Sequence, residues 1–237
     1  MKTQWREETL PGLIEGYSND EIYNADETGL FFQALPHRTL HFRGEKCTGG
    51  KRSKTRISVL LCANKSGTDK LKPLVIGKSQ NPRCFKNVRS LPVHYTNNKK
   101  SWMTSQIFLD FLERFDRKLT REKKKAILLI DNCPSHPNPL PIQLKQLKVK
   151  FLPKNTTSKL QPCDMGIIET FKRYYRKMVV RQLLHHIDAK KDMDWKPNLL
   201  EAIHFTSSAW NQVTAETISK CFRKSWGETN ATPPLIG

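Results

Sequence analysis

The stretch "AILLI", residues 126–130, runs straight into Asp131, Asn132 and, after one residue, a proline. Five consecutive apolar residues bounded by turn formers, too few for a typical helix, read as a strand covered on both faces. Such strands belong to parallel or mixed sheets. Helices must lie above and below a strand of this kind, so it points to a layered α/β architecture. It also brings a carboxylate to the carboxyl end of a buried strand, where open α/β sheets collect their ligands. Asp ahead of Asn and Pro is equally a common turn former. At this point two roles for Asp131 stand open.

The remaining elements follow from periodicity and punctuation. "EIYNADETGLFF" sets Ile22, Tyr23, Phe31 and Phe32 around a polar centre, a strand and its exit, leaving Asp26 in or just after the strand. "RISVLLCANKSGTDKLKPLVIG" reads as two strands joined by a turn at Asn64 to Asp69, where Gly67 can supply positive φ. Apolar residues at 107, 108, 111, 112, 115 and 119 mark one helix face, with Thr104 as its N-cap. After Asp131 come a Pro-rich turn, a short helix "IQLKQL" and a strand "VKFLP" (149–153). A long helix then begins near Asp164, its stripe formed by Ile167, Ile168, Phe171, Tyr175, Met178 and Val179. "DAKKDMDWKPN" reads as a linker, followed by helical material whose Trp195, Trp210 and Trp226 suit a core better than a stacking surface. The expectation is one α/β domain over residues 1–187, a mixed sheet flanked by helices, with a small helical C-terminal extension over 188–237.

Charge narrows the partner. The chain carries 41 Lys and Arg against 22 Asp and Glu, a net +19. That surplus repels itself in the folded state, which makes a polyanion the natural partner, nucleic acid first and an anionic membrane second. No stretch approaches the ~20 apolar residues of a membrane helix, and no lipid anchor signal stands out. The six cysteines are scattered without close pairs, which fits a reducing compartment. Cys133 and His136 form a C-x-x-H, but two further zinc ligands at suitable spacing are lacking. "KRSK" (51–54) and "REKKK" (121–125) suit nuclear import or simply a solvated basic surface.

Asp26, Asp131 and Asp164 stand apart because each sits at a strand end or helix start. Taken singly, Asp26 and Asp164 suit a turn and a helix N-cap. Taken together, three clustered carboxylates raise one another's pKa and call for a cation. Oxygen ligands favour Mg²⁺ or Mn²⁺, and two such ions about 3.5–4 Å apart could flank a phosphodiester. A polyanionic substrate would also account for the positive charge.

"NADETG", "LLCANKSGTDKLKPLVIGKSQNPRCFKN", "NKKSWMTSQIF", "LLIDNCPSH", "FLPKNTTSKLQPCDMGIIETFKRYYR" and "TAETISKCFRKS" occur in this order. Together they resemble the DDE domain of the pogo/Tigger transposases of the Tc1/mariner superfamily, from about residue 20 onward. The resemblance implies an RNase H-like fold, with Asp26, Asp131 and Asp164 as catalytic residues and ligands of two Mg²⁺ or Mn²⁺ ions. It implies DNA as partner, a homodimer in a transposition complex and a nuclear location. Glu169 then reads as a helix residue. Two departures stand out. "CDMG" replaces the "LDQG" of many relatives, and family members usually carry helix-turn-helix units ahead of this domain. The chain starts just before the first catalytic strand, as a fragment or an excised catalytic domain would.

Phosphate contacts are expected from Arg43, Lys46, Lys51, Arg52, Lys54 and Arg56 around two glycines, and from Lys172 and Arg173 on the long helix. His136, near Asp131, either touches substrate or closes the turn. Two functions are therefore carried forward. One is metal-dependent cleavage and strand transfer of DNA. The other is a domesticated, catalytically silent DNA-binding protein of the centromere protein B type.

Overall fold

A computed structural model of the chain describes residues 2–34, 55–153, 156–189 and 195–227. Its frame is a six-stranded mixed sheet of β1 (Ile22–Phe31), β2 (Arg56–Asn64), β3 (Leu74–Gly77), β4 (His94–Asn97), β5 (Ala126–Ile130) and β6 (Leu147–Phe151). The spatial order is β4-β3-β2-β1-β5-β6. β2 runs antiparallel to both its neighbours, β1 and β3, whereas β5 is parallel to β1 and β6, and β4 is parallel to β3.

The helices divide between the faces. One face carries α3 (Ser105–Glu122), which packs Phe108, Phe111, Leu112, Phe115 and Leu119 against Tyr23, Ala25, Leu60, Leu74 and Leu128. The other face carries α2 (Leu10–Ile14), α5 (Ile167–Asp188), α6 (Leu199–Gln212) and α7 (Ala215–Trp226). There Phe171, Tyr175, Trp210, Phe222 and Trp226 cover Ile22, Leu61, Ile127 and Leu129. Short turns, α1 (Lys2–Gln4) and α4 (Thr157–Leu160), complete the set. All five residues of β5 are fully buried. That burial is the physical reason for an unbroken apolar run: neither side of this strand meets water.

Several local expectations hold. Thr104 caps α3, accepting from the Ile107 amide at 3.4 Å. Gly67 adopts φ +77° in the β2–β3 turn, and a Cβ there would lie 2.5 Å from the Ala215 backbone, so only glycine fits. Trp210 and Trp226 are core residues, their indole N–H groups donating to Leu71 and Leu160 carbonyls.

"IQLKQL" differs: residues 142–146 form bends with no helix. The cause is Asp116 on α3. Its carboxylate accepts the backbone N–H groups of Lys145 (3.1 Å), Gln146 (2.7 Å) and Leu147 (2.9 Å), which fixes this segment against the helix as the entry to β6. The final strand accordingly begins at Leu147, two residues ahead of the expected start.

Candidate active site

The ladder between β1 and β5 determines where the first two acids meet. Ile22, Tyr23 and Asn24 pair with Ile127, Leu128 and Leu129. Continuing that register by two residues sets Asp26 beside Asp131, just where β5 ends. Asp26 thus lies within β1, not at its exit, and pairs with Leu61 of β2 on its other side. One carboxylate oxygen each from Asp26, Glu27 and Asp131 lie within 4.8 Å of one another.

Asp164 arrives by a different route. It sits in a 3-10 turn, Pro162–Met165, directly ahead of α5. A polar clamp binds this turn to the sheet. The Asn24 amide donates to the Leu129 carbonyl (2.7 Å) and to Gln161 Oε1 (2.8 Å), while Gln161 Nε2 donates to the Ala25 carbonyl (2.9 Å). The Cys163 N–H closes the set on Asn24 Oδ1 at 3.1 Å. Asn24 and Gln161 are themselves buried, so every one of these bonds forms away from water. The clamp holds Asp164 near enough to Asp26 for the two carboxyls to influence each other's titration. Gly166, at φ +139°, makes the corner into α5, which an L side chain rarely adopts.

The electrostatics are those of an acidic site only partly compensated by its own cations. Burial, followed by the neighbouring charges of Asp164, Glu27 and Asp131, pushes Asp26 up to about 9. A hydrogen bond from the Glu27 amide (2.8 Å) offsets only part of this. Burial and Asp131 likewise raise Asp164, against the lowering effects of the Asp26 hydrogen bond and Lys172. Lys172, half-buried on α5, is lowered chiefly by burial and by Arg176, while Asp26 and Asp164 pull it back up. It is the cation of α5 whose charge acts on the acids. Arg173 is exposed beside Tyr174, its guanidinium 5.8 Å from that ring centre.

His136 joins the turn after β5 to β1. Its Nε2 lies 2.9 Å from Glu27 Oε1, and its Nδ1 lies 3.1 Å from the Asp131 carbonyl and 2.9 Å from Asp131 Oδ1. Burial opposes its charge, but hydrogen bonds to Asp131, Cys133 and Glu27 outweigh this and bring it up to about 12. Nδ1 thus faces both the carbonyl and the carboxylate of Asp131, and the ring pairs with that carboxylate. The oxygens of Asp26, Glu27 and Asp131, gathered within 4.8 Å, are a donor set that suits a hard divalent cation. The residues present fit such an ion.

The structure therefore gathers Asp26, Glu27 and Asp131, with Asp164 and Lys172 near enough for their charges to act on the cluster. Arg56 lies apart, its guanidinium 5.0 Å from the Trp102 ring centre and bonded to Ser58 Oγ (3.1 Å). Arg43, Lys46, Lys51, Arg52 and Lys54 lie outside the described residues. Sequence reasoning missed Glu27 and the Asn24–Gln161 clamp. The available signal was that polar residues interrupt two motifs, "NADET" and "LQPCD", which otherwise enter a core.

Comparisons with known proteins identify the family and the fold. The family described as "DDE superfamily endonuclease" matches residues 54–222. Tigger transposable element-derived protein 4 of Mus musculus is 34% identical over 223 residues, covering 94% of this chain and 43% of that protein. Major centromere autoantigen B of Homo sapiens is 32% identical over 235 residues, covering 97% of this chain and 38% of the relative. The chain thus spans about two-fifths of the length of these curated relatives. Among solved structures, the Mos1 mariner paired end complex with Mn aligns at a TM-score of 0.50 with 17% identity, over 96% of this chain and 62% of that one. That likeness concerns the fold alone, and it bears out the RNase H-like expectation. No helix among the described residues is long and apolar enough to cross a membrane.

Proposed function

The chain belongs to the DDE superfamily endonuclease family, and we propose that it cuts DNA phosphodiesters and joins the freed strand end to target DNA. Asp26, Asp131 and Asp164 are its catalytic, metal-binding carboxylates in this reading. The observation that carries it is the convergence of carboxyls from a mid-strand position, a strand end and a helix-capping turn, at the cost of mutual repulsion. Fold stability alone gives no reason to keep three acids there.

Two Mg²⁺ or Mn²⁺ ions held by these carboxylates would supply the charge that activates the attacking oxygen and stabilises the leaving one. The solved mariner complex aligned above was determined with Mn. In the first step a water oxygen attacks phosphorus and the bond to the 3′ oxygen breaks, leaving a 3′-hydroxyl. In the second, that hydroxyl attacks a target phosphodiester and displaces another 3′ oxygen. Lys172 faces the non-bridging phosphate oxygens, and Arg43, Lys46, Lys51, Arg52, Lys54, Arg56 and Arg173 contact the phosphate backbone. His136, held by Glu27, fixes the carboxyl of Asp131 and is a positioning residue. The 188–237 segment serves as a helical extension of the catalytic unit, and the working form is a homodimer in the nucleus.

A second reading rests on the likeness to major centromere autoantigen B: a nuclear DNA-binding protein that keeps the fold and no longer cuts. Nicking of supercoiled DNA in Mg²⁺ or Mn²⁺ separates the two. The enzyme reading expects nicking by the wild type and none by Asp131→Asn, with both proteins folded by thermal melt. No nicking by either protein leaves the binder; equal nicking by both overturns the assignment of Asp131.

A further inference from the structure

A second strongly charged feature lies on the opposite face of the sheet. Tyr23 and Ala25 point toward α3, whereas Asn24 and Asp26 point toward the Gln161 clamp, so the two regions are separated by the sheet itself. Between α3 and the starts of β3 and β4 lies a cavity of about 480 Å³. Its rim is formed by Lys72, His94, Arg114, Arg117, Lys118 and Arg121, over a floor of Phe111 and Phe115. The four α3 cations occupy positions i, i+3, i+4 and i+7, one face of the helix next to its apolar stripe.

These cations are poorly balanced. Asp69 is the one acid in the lining, and it is occupied by Lys118 Nζ (2.5 Å) and the Tyr23 hydroxyl (2.8 Å). Arg117 has only a 3.9 Å contact with Glu113, both side chains being well exposed, and such a pair contributes little. Arg114 Nη1 is buried with no hydrogen-bond partner among the described residues. A buried guanidinium nitrogen left without an acceptor is costly, which points to an acceptor supplied from outside. His94 reports the same field: burial, then Arg114 and Lys72, lower it to about 4. At the end of the helix the run continues through exposed Lys123 and Lys124, the basic cluster that the acidic site leaves unused.

We propose that this groove binds the sugar–phosphate backbone of a second DNA segment, distinct from the one presented to the three aspartates, with Arg114 as the buried phosphate anchor. Arg114 to Arg121 spans roughly 10 Å of helix, enough for about three successive phosphates of one strand. The inference rests on the reading of DNA as substrate and adds a place where a further stretch of DNA, away from the phosphodiesters that react, is held. Contacts of this type recognise the backbone and carry no sequence information.

The test is a salt series of DNA affinity, by fluorescence anisotropy with a labelled duplex in EDTA. It compares the wild type with Arg114→Ala/Arg117→Ala/Arg121→Ala and with the charge-matched Lys172→Ala/Arg173→Ala/Arg176→Ala on α5. Loss of three phosphate contacts should lower the slope of log K against log salt by about 2.7. It should also weaken binding at least about tenfold at low salt. A thermal melt checks folding, and Arg117→Ala/Arg121→Ala, two exposed positions, serves if the triple variant melts early, with an expected slope change of about 1.8. A wild-type slope and affinity in the α3 variants overturns the second-segment proposal, while a loss in the α5 variant alone leaves the DNA reading standing. Absence of binding by the wild type sinks both. Binding of a poly-glutamate peptide that depends on Arg114, with DNA binding unchanged, assigns the groove to an acidic protein and overturns the proposal.

Discussion

Asp26 and Asp116 are almost equally buried, 9% and 8% exposed, on opposite sides of the same sheet. Their surroundings could hardly differ more. Asp116 receives three backbone N–H groups that lock the entry to β6 onto α3. Asp26 receives one, from Glu27, and faces three other carboxyls. Depth alone therefore says little about an acid's role; what decides it is whether the fold supplies the donors. Where the fold supplies them, the acid is a strut. Where it supplies further acids instead, the balance has to come from something that binds.

Four measurements test this contrast. The largest effect is expected on chemistry. Asp131→Asn should reduce metal-dependent DNA nicking about 1000-fold, the several kcal/mol of charge stabilisation a metal site contributes, while the protein stays folded. Next comes Asp116→Ala, which strands three backbone donors and should lower stability by about 3 kcal/mol in urea titration. Asp26→Ala under the same conditions should cost far less or even stabilise in EDTA. If Asp116→Ala proved harmless, the strut would be misread.

A smaller effect belongs to the shell around the acids. His136→Ala should raise the Mg²⁺ concentration needed for thermal stabilisation about tenfold. Rescue by His136→Asn, whose amide can replace Nδ1 near Asp131, would tie the loss to positioning.

The fourth measurement is a pH dependence. Asp26 in the folded state titrates near 9 against an ordinary 3.8. Between those values the native state holds more protons than the unfolded one, so stability falls as pH rises. Its contribution is complete below about 4 and lost through about 9. In EDTA the wild type should lose ground to Asp26→Asn across that window, and Mg²⁺ should restore it at the alkaline end. An identical pH profile for the two proteins would mean that Asp26 is not repelled as described.

Much of this was readable in the chain. β5 and Asp131 were legible because double burial leaves an unbroken apolar run, and α3 because its stripe repeats at helical spacing. β1 was half legible. Its polar centre looked like an exit, since Asn24 and Asp26 are buried for the sake of the Gln161 clamp and the site rather than for packing. β4 could not be seen at all: four half-buried residues, "HYTN", at a sheet edge present no alternation. "IQLKQL" misled because its backbone donors go to Asp116, a partner distant in sequence. Glu27 and His136 meet only once β1 and β5 are paired, and no local pattern announces a contact of that kind.

The β1–β5 ladder has one more consequence. Asp26 reaches Asp131 because three paired residues fix the count of the strand, and side chains alternate between faces at every step. A single-codon deletion between the start of β1 and Asp26 would leave composition, charge and all three aspartates intact. It would nonetheless turn the first carboxyl toward α3. An in-frame indel in β1 would thus take an acid out of the site without changing a simple inventory of acidic residues.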